Sequence, residues 1–160
     1  MGKRLIFSLV SGFLLLAGCT HITSNDQHST REKDVSKESF KDLINQVKKI
    51  RETNKLDNLK NVAYKNSPYF NYVSFLIKNK NIESGKTSVK FSNFKVVKKQ
   101  NNIGVVYVDE HMVTEGKGSN LDSDASYYYF FKKENKEWRI YDYLPSTAVN
   151  NIDDLIKRYQ

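Results

Sequence analysis

Tyr127-Tyr128-Tyr129-Phe130-Phe131-Lys132-Lys133-Glu134-Asn135-Lys136-Glu137-Trp138-Arg139-Ile140-Tyr141-Asp142 reads as two strands and the turn that joins them. Aromatic and β-branched side chains suit a pleated, half-buried surface, and the polar run Glu134-Asn135-Lys136-Glu137 suits a loop. Side chains of a strand alternate between faces, so five consecutive aromatics send rings to both sides of a sheet. One side is core. The other presents either Tyr128 and Phe130, or Tyr127, Tyr129 and Phe131, joined by Tyr141 and Tyr143 from the next strand.

Upstream of this hairpin the period is also two. Val89, Phe91 and Val96 alternate with polar residues, Asn101-Asn102 makes a turn, and Ile103 to Glu115 forms the next strand. Gly116-Lys117-Gly118-Ser119-Asn120 is a strong turn signal before the aromatic strand. The result is a four-stranded antiparallel meander that Pro145 closes. Ile152, Leu155, Ile156 and Tyr159 then give a short amphipathic helix, with Asn150 or Asn151 as its cap.

Further towards the N-terminus the period becomes helical. Phe40, Leu43, Ile44, Val47 and Ile50 fall on one helical face. Ser36 is placed to cap this helix, Val35 and Phe40 have the spacing of a hydrophobic staple, and Lys48, Lys49 and Arg51 suit the negative end of its dipole. Leu56, Leu59, Val62 and Ala63 suggest a second helix. Ser67-Pro68 reads as a cap and first helical position, but Tyr69 to Ile77 is apolar on nearly every side and is either a third helix or a buried strand. Helices followed by a meander make an α+β domain over residues 36–160, with helices on one face of a curved sheet.

The segment Tyr127 to Asp142 resembles the last hairpin of the cystatin-like cone, the superfamily that includes nuclear transport factor two and ketosteroid isomerase. There an aromatic-rich strand, a charged turn and a Trp-Lys/Arg-Ile strand close the sheet. The resemblance spans about residues 37 to 143 and implies a cavity between helices and sheet, used for catalysis, for ligand binding or for nothing. This chain departs from the pattern in showing no short strand between the helices and in adding a helix after the sheet.

Catalysis in such a cavity needs a carboxylate or histidine whose pKa is shifted by an apolar site. Asp109-Glu110-His111 is the local cluster of that kind. Alternation puts Asp109 and His111 on the face of Val105 and Tyr107, and Glu110 on that of Val106, Val108 and Met112. If the second set faces the core, Asp109 and His111 are solvent-exposed and inert. If the first does, they line the cavity and can act as an acid–base pair. No second histidine at ligand spacing and no glycine-rich phosphate loop accompany them, so neither a metal nor another cofactor is expected. Tyrosine combines a large apolar area with a polar tip. Tyr107, Tyr128, Phe130, Tyr141 and Tyr143 are accordingly the candidate binding surface, and a sheet covered on both faces is the alternative.

The N-terminus speaks to location. Lys3-Arg4 precede the apolar run Leu5 to Leu16, which is too short for a spanning helix of roughly 20 residues. Leu16-Ala17-Gly18-Cys19 resembles the lipobox of bacterial lipoproteins. That resemblance implies cleavage between Gly18 and Cys19 and diacylglyceryl attachment at the Cys19 thiol. Residues 1–18 are then a signal peptide and 19–35, polar apart from Ile22 and Val35, a lipidated flexible tether. Cys19 is the only cysteine, so its acylation leaves no thiol for a disulfide, a metal or a nucleophile.

The net charge is +8, or +6 once Lys3 and Arg4 are removed, and the lysines are scattered without a run of five. No helix-turn-helix or zinc spacing appears, so no nucleic-acid partner is expected. These features describe a non-enzymatic binding or interaction lipoprotein on the outer side of a bacterial cell membrane, or on the outer membrane of a two-membrane cell. Its partners are the bilayer, through Cys19, and a protein of the envelope. A cavity enzyme using Asp109 and His111 is the alternative, as is an accessory of conjugation or secretion, or an immunity lipoprotein.

Overall fold

Two asparagine turns and one proline organise the protein, a computed structural model that describes residues 25–79, 86–116 and 120–160. The signal peptide, Cys19 and Lys117 to Ser119 of the glycine-rich turn lie outside the described residues. The order is α1 (Asn25–Thr53), a 3-10 turn (Leu56–Asn58), α2 (Leu59–Val62), α3 (Pro68–Asn79), β1 (Thr87–Gln100), β2 (Ile103–Glu115), β3 (Asn120–Glu134), β4 (Glu137–Pro145), a second 3-10 turn (Ser146–Ala148) and α4 (Ile152–Tyr159). The sheet runs β1-β2-β3-β4, every pair antiparallel. The fold is therefore α+β, with helices before an antiparallel meander and a short helix after it.

Local chemistry accounts for the element ends. Asn101 and Asn135 take the left-handed backbone at φ 50°, which asparagine tolerates better than most residues, and each turns one strand into the next. The Ser67 hydroxyl accepts from the Phe70 amide at 3.1 Å, and Pro68 holds the first helical position, where its missing N–H costs nothing. That cap starts α3 and settles Tyr69 to Ile77 as helix. Asn151 caps α4 by accepting from the Asp153 amide at 2.9 Å.

One boundary differs from expectation. Helix α1 begins at Asn25, so Ser36 lies inside it rather than capping it, and the 35/36 boundary falls within a continuous helix. No glycine or proline interrupts Asn25 to Thr53, so nothing in the chain chemistry forces a break where the apolar stripe begins.

The apolar stripe of α1 lies on the sheet as its spacing required: Phe40, Leu43, Ile44, Val47 and Ile50 are all buried. The Phe40 ring rests against Gly104, where a side chain would collide with it, and packs at 4.4 Å tilted on Phe131 and at 4.9 Å edge to face with Trp138. Val106, Val108, Tyr129, Phe131 and Ile140 complete this core from the sheet. A single parallel bridge between Ala63 and Ile140 pins the end of α2 to β4. Helix α4 covers the opposite face with a smaller core of Ile103, Val105, Phe130 and Ile156. Register shifts between Ser92 and Lys95, between Val96 and Lys98, and at Phe130/Phe131 mark bulges, which bend a sheet.

Candidate functional site

The parity of β2 decides the site. Val106 and Val108 belong to the core under α1, so Glu110 and Met112 point the same way and Asp109 and His111 point away. Glu110 is only 4% exposed. An ionised carboxylate in such a place needs a partner, and Arg51 from the last turn of α1 supplies it, with Nη1 donating to Oε1 at 2.6 Å. The Tyr129 hydroxyl lies 3.4 Å from the other carboxylate oxygen. The Arg51 Nη2 points at the Met112 sulfur, 3.1 Å away.

Above this pair is a pocket of about 300 Å³ between α3 and the sheet. Tyr69, Tyr72, Val73, Leu76 and Ile77 wall it from α3, and Thr87, Met112, Thr114, Tyr129 and Tyr143 from the strands. Arg51 and Asn54 close the end nearest α1, while Glu110 sits behind Arg51 and out of the lining. Tyr72 and Leu76 are among the exposed apolar residues of α3 and form the rim. The rings are packed together rather than loose: Tyr143 lies 5.8 Å from Tyr69, 5.9 Å from Tyr72 and 5.4 Å from Tyr129.

Electrostatics follow the geometry. Burial by itself would lower the Arg51 pKa, but Glu110 and the surrounding tyrosine hydroxyls outweigh it, so the guanidinium is held more firmly charged than usual. Burial raises the pKa of Tyr69, Tyr129 and Tyr143, which keeps the pocket phenols neutral. Among the described residues the site holds one cation and one anion, paired at 2.6 Å, in a largely aromatic wall.

The residues of the alternative acid–base reading fall elsewhere. Asp109 accepts from Ser126 at 2.6 Å and from Asn93, and those hydrogen bonds lower its pKa. His111 Nδ1 is 2.9 Å from Asp124 and 3.5 Å from Asp122. Both side chains lie on the face away from the pocket: with Val106 and Val108 in the core, strand parity takes the branch that leaves Asp109 and His111 outside, and the alternative acid–base pair in a cavity is excluded. The aromatic set divides as well. Phe130 is 1% exposed beneath α4, edge to face with Tyr159 at 5.1 Å, and is core rather than binding surface. Tyr141 packs between Tyr64 and Tyr159, while Tyr107 and Tyr128 meet edge to face at 5.5 Å on the outer face. Only Tyr143 of the five lines the pocket.

Sequence reasoning placed Glu110 on the face of Val106 and Val108 without drawing the consequence, and it assigned Arg51 only to the helix dipole. The signal for Glu110 was present, since a carboxylate in step with buried valines must be buried with them. Nothing local pointed to Arg51, which is 59 residues away. Among the described residues no cluster of histidine, cysteine and carboxylates is arranged to hold a metal.

The sequence matches no protein-family model and no curated protein. Solved structures do resemble it. A nuclear transport factor 2-like superfamily protein from Salmonella enterica superposes with a TM-score of 0.62 at 14% identity, over 71% of this chain and 92% of that one. A hexachlorocyclohexane dehydrochlorinase gives 0.61 at 9% identity, over 76% and 96%. A putative scytalone dehydratase from Novosphingobium aromaticivorans gives 0.58 at 12% identity, over 71% and 85%. The architecture of this chain is thus the nuclear transport factor 2-like fold.

Proposed function

We propose that this chain is a lipid-anchored binding protein on the outer side of a bacterial membrane, holding a small apolar ligand in the pocket between α3 and the sheet. Support for the anchor lies in Leu16-Ala17-Gly18-Cys19 behind a basic and then apolar N-terminus. The observation that carries the binding reading is the lining. The pocket is concave, mostly aromatic and aliphatic, and set with a few convergent polar groups, as small-molecule sites are. No carboxylate or imidazole faces it among the described residues, and the carboxylate behind it is engaged by Arg51. Such a wall favours holding a molecule over moving its protons. A protein partner in the envelope remains part of this reading.

Two experiments test it. Cells expressing the protein should incorporate labelled palmitate into it and retain it with membranes, and Cys19→Ser should abolish both. Protein recovered from those membranes should release a discrete small molecule on solvent extraction, and Leu76→Trp, which fills the mouth, should not. Recovery of no ligand would end the pocket reading; unlabelled protein would end the anchor.

A cavity enzyme is the second reading, favoured by a dehydrochlorinase and a putative dehydratase among the structures it resembles. In this chain it could not use Asp109 and His111, which face away, and would fall to Arg51, Glu110 and the pocket tyrosines.

A further inference from the structure

The charges at the closed end of the pocket restrict what can enter. Arg51 and Glu110 already cancel at 2.6 Å, with the Glu110 side chain buried and the Arg51 side chain 20% exposed. A ligand carboxylate placed against Arg51 would put a second anion close to Glu110 with no second cation to meet it among the lining residues. A ligand cation would be repelled by Arg51, which forms part of the wall. Either would leave a buried charge uncompensated, which costs several kcal/mol. An uncharged ligand avoids this.

Arg51 nevertheless has unspent donor capacity. Guanidinium carries five N–H donors in a planar fork, and here Nη2 faces the thioether sulfur of Met112, a weak acceptor, at 3.1 Å. An oxygen on the ligand would replace that contact with a charge-assisted hydrogen bond, roughly twice as strong as one between neutral groups. The rest of the lining supplies faces for a flat ring: Tyr69, Tyr72, Tyr129 and Tyr143, with Leu76 and Ile77. The volume, about 300 Å³, is at the small end for ligand sites.

Resting on the binding reading above, we infer that the ligand is an uncharged, largely aromatic or alicyclic molecule carrying one oxygen acceptor, such as a carbonyl or ether, directed at the Arg51 guanidinium. Arg51 is then a specificity residue and Glu110 a positioning residue that holds its fork and cancels its charge.

Three naphthalene probes of similar shape separate the possibilities: 2-acetylnaphthalene, neutral with an acceptor; 2-ethylnaphthalene, neutral without one; and 2-naphthoate, an anion. They are titrated by fluorescence against the purified full chain. The acetyl compound should bind about tenfold tighter than each of the others, the gap expected for one charged hydrogen bond. Arg51→Lys keeps a cation for Glu110 but loses the planar fork. It should shrink the acetyl preference over ethyl to about threefold or less. Equal binding of acetyl and ethyl probes, abolished by Leu76→Trp, would overturn the Arg51 inference and leave the pocket reading intact. Tightest binding of naphthoate would overturn the neutrality of the ligand. No binding of any probe, or binding that Leu76→Trp does not touch, would remove the pocket reading itself.

Discussion

Two faces of one strand carry opposite chemistry. On the helix-covered face of β2, Val106, Val108 and Glu110 are sealed under α1, and Arg51 reaches Glu110 to pair with its carboxylate at 2.6 Å. On the outer face, Asp109 and His111 sit among polar neighbours, Asp109 with Ser126 and Asn93, His111 with Asp124. Asp109, Glu110 and His111 are consecutive, so residue type gives no guide to which one matters. The pleat does, because a shift of one residue moves a side chain from water into the core.

The largest effect expected from breaking this contrast is at Glu110. Glu110→Ala strands Arg51 beside the aromatic wall and should cost about 3–5 kcal/mol in chemical denaturation. Asp109→Ala, one residue away, should cost about 1 kcal/mol or less. Replacing both partners, Arg51→Met with Glu110→Leu, should recover most of the loss, since apolar pairs of similar volume often replace buried ion pairs without penalty. Equal costs for Glu110→Ala and Asp109→Ala would mean the parity is wrong.

The aromatic strand offers the same contrast in β3. Tyr129 is fully buried at the junction of sheet, α3 and the ion pair, and Tyr129→Ala should cost about 3–5 kcal/mol. Tyr128 is half-buried against Tyr107 and the small core beneath α4, so Tyr128→Ala should cost roughly half as much. A Tyr128→Ala variant as unstable as Tyr129→Ala would show that α4 seals the outer face as fully as α1 seals the other.

Much of this arrangement was legible in the sequence. The stripe from Phe40 to Ile50, the four strands and the Ser67-Pro68 start rest on short-range spacing and backbone preference, and each stands where the spacing puts it; of the two residues open as the α4 cap, Asn150 and Asn151, it is Asn151 that accepts the amide. The site was not legible, for a different reason. Tyr127 to Phe131 is aromatic at every position, and Val105 and Val106 are both apolar, so alternation alone leaves the inner face open. The Arg51–Glu110 contact joins a helix end to a strand across 59 residues, a distance over which local periodicity carries no information. The start of α1 escaped too, because a polar stretch without glycine or proline has no feature that fixes a helix boundary.

Two smaller effects sharpen the picture through pH. Burial holds Tyr69, Tyr129 and Tyr143 above the ordinary phenol range, and burial with a hydrogen bond to Asp142 does the same for Tyr159. Raised folded values mean that the unfolded chain releases these protons first. Their contribution is whole below about pH 10 and falls as the pH rises towards the folded values. Alkaline titration should therefore show phenolate absorbance for these four arriving together with loss of structure, later than for the exposed tyrosines; one smooth ordinary titration would contradict the burial. Asp109 shifts the other way. Its folded value is lowered by Ser126, Asn93 and Tyr107, so its small contribution is present above about pH 3.9 and lost as the pH falls through the folded value. Comparing the acid unfolding of wild type and Asp109→Asn should show a difference that narrows at the acid end, and a constant difference would refute the assignment.

Backbone amide shifts on titration with 2-acetylnaphthalene show which face of the sheet holds a ligand. Changes should concentrate at Arg51, along Tyr69 to Ile77, and at Met112, Thr114, Tyr129 and Tyr143. Changes concentrated at Tyr107, Asp109, His111 and Tyr128, with α3 unmoved, would contradict this placement.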